Sequence, residues 1–223
     1  MRVTGVDACR GGWVAVSLDE TGPVAVRVHE TLTGLLGPGG GAEAAVVTGI
    51  DMPLGLLAAG WREADLAARA RLGPRRSSVF AIPPRAVWEQ ASYQAAGERC
   101  RALTGQGFSI QAWGLRAKLL EADRYRQACG HPLYEVHPEL AFSAMAGAPL
   151  ANRKHTAAGR EQRRALLSQA GITLPARAPA PVTDTLDAAA VAWSARRIAA
   201  GQAVVIPGKP QHDERGCEIA IRY

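Results

Sequence analysis

The sequence lacks the features that mark exported, membrane-spanning and zinc-binding proteins. Its first residues, MRVTGVDACRGG, contain no uninterrupted apolar stretch like that of a signal peptide. No apolar run approaches the roughly 18 residues that a membrane-spanning helix requires. The cysteines occur singly, without a CxxC pair, at Cys9, Cys100, Cys129 and Cys217. We therefore expect a cytoplasmic protein with reduced thiols and no membrane partner.

Motifs for nucleotide binding and for histidine-bound metals are also missing. The chain has no GxxxxGK sequence, the phosphate-binding loop of Walker-type proteins. Most of its histidines show no metal-ligand spacing, namely His29, His131, His155 and His212. The sequence therefore indicates neither a zinc site nor a cysteine redox pair.

Aromatic residues make up only 5% of the chain, and most of them lie where its positive charge is concentrated. Residues 60–130 contain twelve Lys and Arg against six Asp and Glu, together with seven of the twelve aromatic residues. This stretch carries the whole formal net charge of +6. Basic residues among aromatic ones suit a polyanion, since guanidinium groups contact phosphates and rings stack on bases. The alternative is an arginine-rich codon usage, with the aromatic residues serving the core.

The hydrophobic pattern predicts a central sheet covered by helices, in a single domain over residues 1–223. Three strands joined by short turns form an antiparallel meander, because parallel neighbours need a longer crossover. A fourth strand, a basic helical insertion at about 60–130, a fifth strand and further helices follow. This order is the ribonuclease H-like α/β plan, a mixed sheet in which parallel strands extend the meander.

The boundaries of these elements follow from the apolar periodicity and the turn residues. The expected strands are residues 2–9, 12–18, 24–29, 44–51 and 133–137, with a terminal hairpin of 204–206 and 218–222. The clearest expected helices are residues 31–36, 112–128, 139–146, 159–170 and 184–200, the last capped by Thr183.

Four acids stand at the ends of predicted elements, in the order Asp7, Asp51, Glu135 and Asp187. The strands bring the first three to one edge of the sheet, and the final helix packs the fourth over that edge. Two carboxylates ~4 Å apart repel by about 4 kcal/mol at an effective dielectric near 20. Mg²⁺, or Mn²⁺ in its place, offsets such repulsion and keeps waters that can attack a phosphorus. The pattern predicts a two-metal site in which all four acids are metal ligands and catalytic residues.

Each acid also has a structural alternative. Asp51 precedes Met52 and Pro53, where an extended residue and a turn are expected in any case. Asp7 can cap a turn through its own backbone, as Asx residues do. Glu139 competes with Glu135 in the segment YEVHPE, and either can be a helix-start carboxylate. Asp184 shares a helical face with Asp187, and one of the two can serve only the helix dipole. The sequence favours Asp187 as the ligand.

Six segments carry a resemblance to a known family: GVDACRGGW (5–13), GIDMPLGL (49–56), ARARLGPRRSSVFAIPPR (68–85), GFSIQAWGLRAKLLEAD (107–123), YEVHPELAF (134–142) and DTLDAAAVAW (184–193). They resemble a family of uncharacterised bacterial and archaeal proteins described as predicted ribonuclease H-like nucleases. The resemblance implies the fold and places the acidic site on the four acids above. The chain departs from the family pattern at Ala8, where glycine is expected, and at Thr185, where a second acid often stands.

The resemblance also implies substrate contacts that composition does not single out. They are Arg10, Arg76, Ser77, Ser78, Lys118 and His137. Arg10 would bind a scissile phosphate, unless it only pairs with an acid. For the others the alternatives are a helix-capping turn for residues 76–78, a solvated lysine and a satisfied core histidine.

The sequence thus predicts a Mg²⁺-dependent nuclease, a hydrolase that cleaves RNA or DNA and holds it with the insertion. One alternative is an ATP-dependent phosphotransferase of the actin and sugar-kinase type, which uses a similar acid-then-glycine turn but needs two such domains. Another is a non-catalytic nucleic-acid-binding module that kept the fold.

Overall fold

The computed structural model describes residues 1–37, 45–128 and 132–223. The strands are β1 (Val3–Cys9), β2 (Gly12–Asp19), β3 (Gly22–His29), β4 (Val47–Ile50), β5 (Leu133–Glu135), β6 (Val205–His212) and β7 (Glu218–Arg222). The helices are α1 (Leu32–Leu36), α2 (Glu63–Leu72), α3 (Arg85–Trp88), α4 (Tyr93–Thr104), α5 (Ile110–Trp113), α6 (Arg116–Ala128), α7 (Pro138–Ala146), α8 (Ala157–Gln169) and α9 (Val182–Ala199), with a 3₁₀ helix at Gly73–Ser78. Within these ranges no helix has the length and apolarity to cross a membrane.

The first five strands form one mixed sheet in the order β3-β2-β1-β4-β5. β2 pairs antiparallel with both β1 and β3, whereas β4 pairs parallel with both β1 and β5. The prediction of an α/β protein with a meander and parallel additions is confirmed. β6 and β7 form a separate antiparallel pair, longer than the expected terminal hairpin. The expected strand 44–51 begins outside the described residues, so only its later part can be compared, as β4.

The helix α9 packs directly on the sheet because two glycines place no side chain between them. A Cβ added to Gly5 in β1 would lie 2.0 Å from the backbone nitrogen of Ala192 and 2.2 Å from the carbonyl oxygen of Ala188. In β4, a Cβ on Gly49 would lie 2.9 Å from Cγ1 of Val191. These two glycines therefore identify the face of the sheet that α9 covers.

The helices between β4 and β5 cover the opposite face. Val6 and Ile50 point to this side and share a buried cluster with Trp88 and Leu119 of the insertion. The insertion thus contributes to the core of the protein. The helix expected over 112–128 is divided into α5 and α6 by a turn at Gly114 and Leu115.

The start of α9 differs from the sequence-based prediction. The helix begins at Val182, directly after Pro181, and no side chain caps it. Thr183, the expected cap, lies inside the first turn, where its hydroxyl donates to Oδ1 of Asp184 at 3.0 Å. Proline fixes φ near the helical value just before the helix, so the chain becomes helical earlier than the threonine predicts.

Candidate active site

Asp7 and Asp51 lie at the ends of two neighbouring parallel strands, on the face that α9 covers. Asp7 stands in β1 two residues after Gly5, and residues two apart on a strand share a face. Asp51 follows β4 in the same way, two residues after Gly49. Its backbone N–H donates to the carbonyl of Val6 at 2.8 Å, which keeps the two strands in register. Because paired strands lie about 4.8 Å apart, the two carboxylates stand side by side.

Asp187 reaches the same edge of the sheet from α9. It lies one helical turn before Val191, the residue that contacts Gly49, so it extends past the end of β4. Its side chain is 1% exposed. Oδ2 accepts a hydrogen bond from Nζ of Lys154 at 2.7 Å, whereas Oδ1 is buried with no hydrogen-bond partner in the described part of the chain.

These three aspartates are close enough to oppose one another's ionisation. Burial raises the pKa of Asp7 well above its usual range, and the charges of Asp51 and Asp187 raise it further. Burial, followed by the charge of Asp187, raises the pKa of Asp51 to about 8. Burial also raises the pKa of Asp187, against the ammonium of Lys154. Lys154 acts to lower the pKa of all three groups, which we call the aspartate cluster.

The aspartate cluster opens into a cavity of about 720 Å³. Small-molecule and cofactor sites in proteins usually enclose about 300–1,000 Å³. The cavity is lined by the sheet edge, by the 3₁₀ helix, by the start of α7, by residues 153–155 and by the first turns of α9. A ligand in this space would contact three carboxylates and the Lys154 ammonium.

Glu135 lines this cavity, but its side chain points to the face opposite the cluster. It pairs in register with Ile50, which lies in the core on the side of the insertion. Oε2 of Glu135 accepts from Arg62 at 2.5 Å and from the N–H of Leu54 at 2.7 Å. The sequence grouped Glu135 with Asp51 because both end strands, whereas side chains alternate between the two faces of a sheet. Glu135 is thus the partner of a buried arginine.

Glu139, the competing acid in the sequence, is also paired. It lies in the first turn of α7 and accepts a hydrogen bond from Arg163, whose side chain is 1% exposed. We call Glu135 and Glu139 the paired glutamates. Each is neutralised by a buried guanidinium group, whereas the members of the aspartate cluster have no arginine in hydrogen-bond contact among the described residues.

The sequence offers two aspartates of α9, Asp184 and Asp187, as the metal ligand from that helix. Asp184 lines the cavity in a half-buried position, and its Oδ1 accepts from the Thr183 hydroxyl. Asp187 is buried and contacts Lys154. The geometry therefore favours Asp187 as the acid that completes the cluster.

Half of the predicted substrate contacts line the cavity. Ser77 and Ser78 belong to the 3₁₀ helix, and the carbonyl of Ser78 accepts a hydrogen bond from Nε2 of His137 at 3.2 Å. Burial lowers the pKa of His137. The side chain of His137 therefore holds the 3₁₀ helix against the start of α7, and its ring stays neutral near neutral pH.

Arg10, Arg76 and Lys118 are not among the described residues that line the cavity. Arg10 is exposed in the turn between β1 and β2, and Arg76 is exposed on the 3₁₀ helix. Lys118 lies over the ring of Trp13, 4.6 Å from its centroid, with Nζ 3.8 Å from Oε2 of Glu121. Sequence proximity to an acid or a motif does not fix the direction of a long side chain, and these three residues lie elsewhere.

Two cavity residues were missed from the sequence. Lys154 lies in the polar segment ANRKHT, which has no periodicity or motif that would identify it. Asp65 stands three residues after Arg62 on α2, a spacing that usually indicates a surface ion pair. Instead Asp65 is buried, its Oδ2 accepts from the N–H of Ile82 at 2.8 Å, and burial raises its pKa to about 7 despite the charge of Arg62.

The carboxylate oxygens of the aspartate cluster are suitable ligands for a hard metal ion such as Mg²⁺. Within residues 1–37, 45–128 and 132–223, no three His, Cys, Asp or Glu side chains are arranged as a ready metal cage. Mg²⁺ does not need one, since it usually takes one or two carboxylates and completes its shell with water and substrate phosphates. Unshielded carboxylates and the unpartnered Oδ1 of Asp187 fit such an ion, whereas the arginine-paired Glu135 does not.

The geometry defines a mixed α/β protein with a cluster of buried carboxylates at one edge of its sheet. The model of a family described as a protein of unknown function, DUF429, matches residues 5–212, and the chain belongs to that family. No curated protein and no solved structure matches the chain significantly.

Proposed function

We propose that the protein is a divalent-metal-dependent phosphodiester hydrolase, a nuclease that acts on nucleic acid. The observation that carries the proposal is the aspartate cluster, in which carboxylates from β1, β4 and α9 meet in one cavity. Burying like charges together is unfavourable unless a cation compensates them. Lys154 provides one positive charge against three carboxylates, so the cluster is suited to Mg²⁺ or Mn²⁺.

The topology of the sheet supports a ribonuclease H-like assignment of the fold. A central β1 lies between an antiparallel meander and two parallel strands, as that plan requires. The acids stand at the carboxyl ends of β1 and β4 and on the helix that covers them. The family match supports the assignment only to the level of a family of unknown function.

Asp7, Asp51 and Asp187 are the proposed metal ligands. A bound Mg²⁺ supplies an activated water and stabilises negative charge on a leaving oxygen. Glu135, which the sequence also placed among the ligands, is omitted because Arg62 and the backbone of Leu54 already occupy Oε2.

Residues of the chain itself orient the cluster and hold the walls of the cavity. Oδ1 of Asp7 accepts from the N–H of Ala8 at 2.7 Å, which fixes the plane of that carboxylate. The pair of Glu135 with Arg62 ties α2 to β5, and the pair of Glu139 with Arg163 ties α7 to α8. The proposed ligands are thus supported by buried polar contacts, as preorganised sites require.

A nucleic acid as the substrate is supported by the charge of the insertion. One wall of the cavity is the 3₁₀ helix, which belongs to the basic stretch 60–130. The stretch presents exposed guanidinium groups at Arg71, Arg76, Arg99, Arg101 and Arg124. Of these, Arg76 stands on the 3₁₀ helix that forms a wall of the cavity, and exposed arginines of this kind can contact the phosphates of a bound strand.

The test is a panel of labelled RNA, DNA, hybrid and branched substrates with Mg²⁺ or Mn²⁺. Cleavage should require the metal and fall by at least about 100-fold in Asp7→Asn, since even indirect partners of metal ligands contribute about 10–100-fold. Asp19→Asn is the matched control, because Asp19 ends β2 at the opposite end of the same sheet. Absence of cleavage for every substrate, or full activity in Asp7→Asn, contradicts the proposal. Tight ATP–Mg²⁺ binding in a calorimeter would instead favour the phosphotransferase.

A further inference from the structure

Lys154 contacts the aspartate cluster and also has access to the cavity. Its Nζ lies 2.7 Å from Oδ2 of Asp187, and its side chain is 40% exposed and lines the cavity. An ammonium group has three N–H donors. One of them bonds Asp187, and the others are available to an acceptor in the cavity.

The loop that carries Lys154 is fixed by two arginines. The carbonyls of residues 150–152 all accept hydrogen bonds from guanidinium groups. Arg75 donates to the first two at 2.8 and 2.6 Å, and Arg163 donates to the third at 3.3 Å. Arg163 is itself held by Glu139, so the loop is anchored to the wall of the cavity.

The helix α8 fixes the other end of this loop. The hydroxyl of Thr156 donates to the carbonyl of Arg153 at 2.8 Å and accepts from the N–H of Gly159 at 3.0 Å. A Cβ on Gly159 would lie only 1.9 Å from the same carbonyl, so the close approach requires glycine. The backbone on both sides of Lys154 is therefore ordered in advance, which lowers the entropy cost of presenting its side chain.

Three of the other described arginines at or beside the cavity are engaged elsewhere. Arg62 and Arg163 are buried against the paired glutamates, and Arg75 is occupied by backbone carbonyls. Arg153 lines the cavity but is exposed. Lys154 is the basic side chain that both lines the cavity and contacts the aspartate cluster, and a lysine there acts as a compact positive charge toward a phosphate.

We propose that Lys154 binds a phosphate group of the substrate, and that its ion pair with Asp187 is the resting state of the site. This inference rests on the proposed function and adds a substrate-binding residue to it. A cation held by the three aspartates would compensate their charge, and Asp187 would then no longer need the Lys154 ammonium as its counter-ion. The ammonium then contacts a non-bridging phosphate oxygen held in the cavity.

A phosphate contact of this kind changes the salt dependence of binding. Each phosphate neutralised on a single strand contributes about 0.7 to the slope of log K against log salt concentration. The probe is a fluorescent single-stranded oligonucleotide, with inorganic phosphate as a separate competitor. Measurements use the wild-type background with Ca²⁺ in place of Mg²⁺, so that all three aspartates remain while cleavage is suppressed, and anisotropy reports binding.

Lys154→Met in this background should lower the slope by about 0.7 and weaken binding, whereas Lys154→Arg should retain both. Lys209→Met is the matched control, because Lys209 is exposed on β6 and does not line the cavity. Circular dichroism confirms folding. If Lys154→Met does not fold, Arg75→Met, which loosens the loop but keeps the lysine, should weaken binding in the same direction.

An unchanged slope and affinity in Lys154→Met, equal to those of Lys209→Met, overturns the inference and leaves Lys154 as a counter-ion. Strong competition by inorganic phosphate would show that Lys154 binds a phosphate monoester. Weak competition would show that it binds a phosphate within the nucleic-acid backbone. Because binding is measured without turnover, a lower slope in a protein whose wild type cleaves nothing would sink the nuclease proposal while retaining the phosphate contact.

Discussion

Two groups of acids line the same cavity, and they are compensated in different ways. The paired glutamates, Glu135 and Glu139, each contact a guanidinium group that is 1% exposed. The aspartate cluster shares the single ammonium of Lys154, and its carboxylates have raised pKa values. The charge of the paired glutamates is compensated within the fold. The carboxylates of the aspartate cluster are compensated only in part, so that a bound cation would favour their ionised form.

The difference explains why an acid near a cavity is not by itself a metal ligand. Both partners of a buried arginine–carboxylate pair are already desolvated. Removing one of them leaves the other as a buried charge without a counter-ion, which is strongly destabilising. Carboxylates that repel one another are destabilising in the free protein and become favourable when a cation binds. Sites of this kind commonly exchange stability for function.

We expect the largest loss of stability when the arginine that pairs with Glu135 is replaced. Arg62→Met should lower the free energy of unfolding by about 3–5 kcal/mol, because Glu135 and Asp65 are left buried without their cation. Urea unfolding measures the change. Arg99→Met is the control, since Arg99 is exposed on α4, and it should change stability by less than about 0.5 kcal/mol. Equal stability of the two variants would mean that Arg62 does not compensate the glutamate.

A second variant separates α9 from the sheet and so displaces Asp187, the acid that α9 contributes to the aspartate cluster. Gly5→Ala should destabilise the protein by about 2–3 kcal/mol, because its Cβ would overlap the backbone of Ala192. Gly107→Ala is the control, since no atom lies within 4 Å of a Cβ there. A Gly5→Ala protein as stable as wild type, with unchanged metal binding, would contradict the close packing of α9.

The pH dependence of stability distinguishes the two groups directly. Burial and Asp187 raise the pKa of Asp51 to about 8, so the folded state binds a proton that the unfolded state releases near pH 4. This contribution to stability is present at low pH and is lost as the pH rises through about 8, with a slope of at most about 1.4 kcal/mol per pH unit for one proton.

The slope is best measured by urea unfolding between about pH 7 and 8, because above pH 8 Asp51 is ionised in both the folded and the unfolded state. In this window His137, whose pKa burial lowers, is neutral. Excess Mn²⁺ should abolish the decline, because the ion binds the ionised cluster, and Asp51→Asn should reduce the slope without metal. A decline that Mn²⁺ leaves unchanged speaks against a cation site at the cluster.

The smallest expected effect concerns the lysine that the sequence selected. Lys118→Met should cost about 0.5–1 kcal/mol of stability, through the lost contacts with Trp13 and Glu121. Thermal unfolding and a cleavage assay measure the two properties. A KM raised as strongly as in Lys154→Met would restore the substrate role that the sequence indicated for Lys118.

Much of the fold could be predicted because the relevant signals are local. Short turns after β1 and β2 permit only antiparallel pairing, and the confirmed meander follows from them. The division of α5 from α6 and the start of α9 were missed, because Gly114 and Pro181 act on the backbone more strongly than the apolar pattern indicates.

The site was predictable in part for the same reason. Asp7 and Asp51 lie near the ends of strands and Asp187 lies near the start of α9, in an order that the sequence shows, and the structure brings them together. Glu135 was placed with them because a strand end is visible in the sequence, but the face of the sheet depends on register with β4. Lys154 comes from a loop with no pattern of its own, and its position depends on Arg75, which is distant in sequence, and on Arg163 of the following helix.

The sequence by itself determined the element order and three of the acids at the sheet edge, because each depends on neighbours along the chain. Only the tertiary structure decided which acids are neutralised. A charge is compensated by whatever side chain lies within hydrogen-bond reach, and Arg62, Lys154 and Arg163 reach their partners from 73, 33 and 24 residues away. The aspartate cluster and the paired glutamates therefore differ through contacts between residues far apart in the sequence, which no local sequence pattern shows.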